Sequence, residues 1–69
     1  MKETDKLRVL IPHWIEHNTE HADEFRSWAA QAEGASADIL AAAEVMTQVN
    51  AFLARALQKL GGALPMPDD

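Results

Sequence analysis

The chain is predicted to be all-α: an antiparallel two-helix hairpin that dimerises into a four-helix bundle. Three observations lead there. Two long stretches with apolar residues at helical spacing flank Gly34, and Gly61-Gly62 closes the second. The link Gly34-Ala35-Ser36 is short, and short links make neighbouring helices antiparallel. The second stretch is apolar over about half its circumference, whereas a single neighbour covers a stripe of ~100° or a little more. The excess calls for a second contact, and two paired hairpins supply it.

Size and composition narrow the function classes. Sixty-nine residues make one domain, expected over 1–62, with 63–69 a disordered or loosely docked tail. A core this small nets only ~3–5 kcal/mol, and short chains usually add a staple. There is no cysteine, so disulfides and thiolate metal sites are excluded. Oligomerisation, or a metal held by nitrogen and oxygen ligands, remains. A net charge of −5 with six scattered Lys and Arg gives no basic face to track phosphates, so nucleic acid is not an expected partner. No apolar run approaches the ~20 residues of a membrane span. The acidic residues near the N-terminus do not suit a signal peptide, and the expected location is cytoplasmic.

Residues 1–5 are polar and expected to fray. Leu7-Arg8-Val9-Leu10-Ile11 suits either an extended segment or an early helical turn. Pro12 favours the first turn of a helix and disfavours helical geometry just before it. The preferred reading is a helix from about Pro12 to Glu33, with one running from about Asp5 as the rival. Gly34 is read as the C-terminal glycine of that helix. Ser36 is placed to cap the next, with Asp38 in its first turn. The second helix is expected from about Ala37 to Leu60. Its stripe is Ile39, Met46, Leu53, Leu57 and Leu60, widened by Val45, Val49, Phe52 and Ala56. Asn18 and Asn50 fall on facing stripes at nearly the same level, with His21 one turn from Asn18. A polar layer of the three is expected, because a buried Asn without a partner costs ~1–3 kcal/mol.

The groups able to do chemistry are concentrated in one place. From His13 to Glu24 the chain reads His-x-x-Glu three times with a four-residue step, holding all three histidines. At about 100° per residue, His13, His17, His21, Glu16, Glu20 and Glu24 share an arc of roughly 140° beside the apolar stripe. Histidines at i and i+4 leave one helix face a turn apart, so His17 with His21 forms the best chelate and His13 with His17 the second. Glu20 or Glu24 would add oxygen, for a divalent transition metal such as Zn, Fe, Ni or Co. The glutamates also repel one another at i, i+4, and a cation would relieve that. The competing reading is a solvated face with incidental histidines on an interaction or oligomerisation module. Di-iron four-helix bundles carry Glu-x-x-His, the reverse order, so their likeness is architectural. No nucleophile-base-orienter set and no phosphate loop is present, which makes enzymatic activity by the chain alone the least supported option.

The string Pro12-His13-Trp14-Ile15-Glu16-His17-Asn18, followed by Glu20-His21-Ala22 and Phe25, resembles an uncharacterised family of small prokaryotic helical proteins over about residues 7–60. That resemblance implies a helical hairpin and brings no assigned activity.

Overall fold

A computed structural model describes residues 2–65 of the chain. Helix α1 spans Glu3–Ala29, a 3₁₀ turn covers Glu33–Ala35, and helix α2 spans Ser36–Leu60. There is no strand among the described residues. The two helices lie antiparallel, and the Cα trace is a slab of 48 × 26 × 13 Å, one helix thick.

Helix α1 begins nine residues before the preferred start, so Pro12 lies in its interior and the rival reading is the correct one. Pro12 has no N–H to give the Arg8 carbonyl, and an interior proline costs about 3 kcal/mol. Tertiary contacts offset that cost. The Arg8 carbonyl accepts instead from the Leu64 N–H at 3.2 Å. The Arg8 guanidinium donates to the carbonyls of Gly62 (2.6 Å) and Gly61 (3.0 Å). Ile11, in the turn before the proline, is buried against α2. The start of α1 is thereby tied to the end of α2.

At the other end α1 stops at Ala29, four residues short of Glu33. The residue with left-handed backbone is Glu33 (φ 53°), not Gly34, around which a Cβ would meet nothing within 4 Å. The Ala29 carbonyl, one of the orphans of a helix end, accepts from the Ala32 N–H and from the Ser36 hydroxyl. Ser36 therefore closes α1 rather than capping α2, whose start has no side-chain cap. The far end of α2 follows expectation. Gly61 (φ 111°) and Gly62 (φ 91°) form a Schellman closure, with Gly61 N–H on Gln58 O and Gly62 N–H on Leu57 O. Of the expected tail over 63–69, residues 66–69 lie outside the described residues. Leu64 is half-buried.

The seam between the helices follows a strict three-four alternation on both sides. Arg8, Ile11, Ile15, Asn18, Ala22, Phe25 and Ala29 face Ser36, Ile39, Ala43, Met46, Asn50, Leu53, Leu57 and Leu60, and every one is buried or half-buried. The fully buried core is Ile11, Ala22, Ala29 and Ala43. Three alanines let the backbones approach closely but leave little room for bulk. Leu10, Trp14, Trp28, Leu40, Val45, Val49 and Phe52 lie outside the seam and are exposed.

Candidate functional site

The His-x-x-Glu band lies on uninterrupted α1. Two of its repeats close locally. His21 Nδ1 lies 3.2 Å from Glu24 Oε1, and His17 Nδ1 lies 3.9 Å from Glu20 Oε2. Both are electrostatic contacts rather than hydrogen bonds. With Nδ1 turned to the carboxylate, Nε2 is the ring nitrogen left open. His21 also stands 6.4 Å from the Phe25 ring, centroid to centroid. His13 is half-buried, one turn before His17.

The structure does not bring the five expected ligands, His13, His17, His21, Glu20 and Glu24, to one point. Among the described residues no three His, Cys, Asp or Glu side chains form a group able to hold a metal ion. The reason is geometric. A four-residue step advances about 6 Å and turns about 40°, so the ligands fan along the helix instead of converging. His17 and His21 stay one turn apart on α1, each beside the glutamate three residues further on.

The polar layer forms, with different membership. Asn18 Nδ2 donates to Asn50 Oδ1 at 3.0 Å, and Asn50 Nδ2 donates to Thr19 Oγ1 (3.1 Å) and to the Ile15 carbonyl (3.3 Å). His21 is not part of it; its side chain is 57% exposed and turned to Glu24. Thr19 takes its place because it lies on the α1 flank toward which the Asn50 amide points.

The flanks differ in character. Rotating to one side of the α1 seam by roughly 60–120° reaches Leu10, Trp14, His17, His21 and Trp28. The same rotation on α2, by roughly 80–140°, reaches Val45, Val49, Phe52 and Ala56. In antiparallel helices the same rotation from the seam leads to the same side of the slab. These residues therefore make one face, and its large apolar members are all exposed, Phe52 to 66% and Trp28 to 64%. The opposite face carries the polar ties between helices, Asn50 to Thr19 and Arg26 Nη2 to Thr47 Oγ1 at 3.2 Å. Trp14 and Trp28 are fourteen residues apart, about 21 Å along the helix, so they do not line a common pocket.

Sequence reasoning found the histidine band and the asparagine pair but missed the Arg8 tie. Its signal was the spacing Arg8-x-x-x-Pro12, which leaves one carbonyl free at the level of the second helix's C-terminus.

The class defined by these features is a two-helix hairpin with an apolar face and a more polar one, on which Leu40 is exposed. No described helix is long and apolar enough to cross a membrane. Residues 7–60 match the model of the family described as "Domain of unknown function (DUF8180)", and the chain belongs to that family. It is 33% identical over 61 residues to an uncharacterized protein of Archaeoglobus fulgidus, covering 83% of this chain and 98% of that one. No solved structure matches.

Proposed function

We propose that the chain is a self-assembling helical module, two hairpins pairing through their apolar faces into an antiparallel four-helix bundle. One observation carries the reading: Leu10, Trp14, Trp28, Val45, Val49 and Phe52 are all exposed on the same side of a slab one helix thick. The chain exposes 5167 Å², more than the about 4,300 Å² of a compact monomer of 7.6 kDa, as an elongated hairpin does. The radius of gyration, 15.1 Å against ~11 Å for a compact chain of this length, points the same way.

A metal-binding or metal-handling role for the His/Glu face belongs with this assembly, because His17 and His21 lie on the pairing face and no third His, Asp or Glu joins them among the described residues. Light scattering coupled to gel filtration is the test. The expected result is twice the 7.6 kDa chain mass, with helicity falling on dilution. A compact, cooperatively folded monomer at low micromolar concentration overturns the proposal.

A further inference from the structure

We propose that residues 3–10 form a latch hinged at Pro12. The latch opens and closes as one unit with the Leu64 contact, while the rest of the hairpin stays folded. It lies within a single chain and does not rest on the pairing proposed above.

The start of α1 is weak on its own account. Lys2, at the N-cap, gives no side-chain hydrogen bond to the free N–H groups there. No side chain from Glu3 to Leu10 is fully buried, and the first that is belongs to Ile11. Pro12 then removes one bond of the helical ladder, the one that the Arg8 carbonyl would accept. A segment with few buried contacts and an interrupted ladder opens locally, well below the free energy of global unfolding.

The same proline gives the open state a defined boundary. Pro12 suits a first helical position, where its missing N–H is an orphan in any case and its φ is already helical. The residue before a proline prefers extended backbone, the geometry of an N-cap, and Ile11 occupies that place. A helix beginning at Pro12 is therefore an end point in itself rather than one step of gradual fraying. Helix α1 has two starts, Glu3 when the latch is closed and Pro12 when it is open.

The closed state is selected from the far end of the chain. The Arg8 guanidinium donates to the Gly62 carbonyl at 2.6 Å and the Gly61 carbonyl at 3.0 Å, at the negative end of the α2 dipole. Asp5 Oδ1 lies 3.8 Å from the same guanidinium, on the preceding turn. The Arg8 carbonyl accepts from the Leu64 N–H at 3.2 Å. Gly61 and Gly62, both with left-handed backbone, bring Leu64 to that carbonyl. All of these hydrogen bonds belong to Arg8, so they form and break together. That shared residue is what couples residues 3–10 to Leu64.

Amide hydrogen exchange of the full chain, resolved by NMR under native conditions, tests the latch. Opening removes the carbonyl partners of amides 7–11, 13 and 14, since those partners lie at residues 3–10. These amides and that of Leu64 should share one protection factor, at least ~10-fold below that of residues 18–25. Arg8→Ala should lower the shared value by a further ~10-fold or more and leave residues 18–25 unchanged. Pro12→Ala restores the missing N–H and abolishes the hinge. Protection should then rise residue by residue from 7 to 14, as at an ordinary helix end. Circular dichroism on each variant follows its folding. Graded protection in the parent chain overturns the latch, as does a shared value that survives Pro12→Ala. A Leu64 amide that is unprotected, or indifferent to Arg8→Ala, overturns the coupling between the two ends. Loss of protection at residues 18–25 in Arg8→Ala, or loss of its helicity, overturns the independence of the latch from the hairpin.

Discussion

Replacing Asn50 tests whether the polar layer holds the hairpin in register. Its amide takes part in three contacts: it accepts from Asn18 at 3.0 Å and donates to Thr19 Oγ1 at 3.1 Å and the Ile15 carbonyl at 3.3 Å. At a net ~0.5–1 kcal/mol each in a half-buried site, Asn50→Ala should destabilise the protein by about 1.5–3 kcal/mol. Asn50→Leu regains most of that, because burying a leucine is worth up to ~1.5–3 kcal/mol, so it should fall within about 1 kcal/mol of the parent. Asn18→Leu with Asn50→Leu should exceed the sum of the single changes by about 1 kcal/mol, since no amide is left facing an apolar partner. What is lost is specificity. A matched polar pair in a three-four seam penalises every other register, and its removal should broaden the distribution of packings or oligomers. Urea unfolding followed by far-ultraviolet circular dichroism, at one fixed protein concentration, gives the cycle. A coupling below ~0.3 kcal/mol, within the additivity of independent sites, would refute the layer as an energetic unit.

Other expectations follow from single positions. Gly61→Ala should destabilise by about 1–2 kcal/mol, because it forces a left-handed residue and brings a Cβ to 3.3 Å from the Arg8 guanidinium carbon; thermal melts will check it. Glu33→Gly should stabilise by a few tenths to about 1 kcal/mol by relieving φ 53°, whereas Gly34→Ala should not destabilise; the same melts distinguish the two positions. Pro12→Ala restores an N–H for the Arg8 carbonyl and should stabilise α1 by about 1–2 kcal/mol, read as a raised urea midpoint. Phe52→Glu places a charge on the exposed apolar face and should shift the chain toward monomer in light scattering, without lowering helicity at concentrations where the parent is already a monomer.

Local chemistry made much of this protein legible in its sequence. Helical periodicity, the short link and the Gly61-Gly62 stop each depend on a few neighbouring residues, and together they define two antiparallel helices. The Asn18–Asn50 contact was legible for the same reason, because two straight helices joined by a short turn leave one register. The His-x-x-Glu band was visible as well, and two of its glutamates close onto the histidines three residues before them. Tertiary structure decided the rest. Whether Pro12 starts α1 or lies inside it depended on the Leu64 N–H reaching the Arg8 carbonyl, a partner 56 positions away. The end of α1 at Ala29 depended on the Ser36 hydroxyl, which local propensity assigned to the following helix. The division of one broad apolar stripe into a buried seam and an exposed face also depended on packing. Hydrophobicity places a residue on a side of its helix, but only the approach of the second helix, through Ala22, Ala29 and Ala43, determines which of those residues it covers.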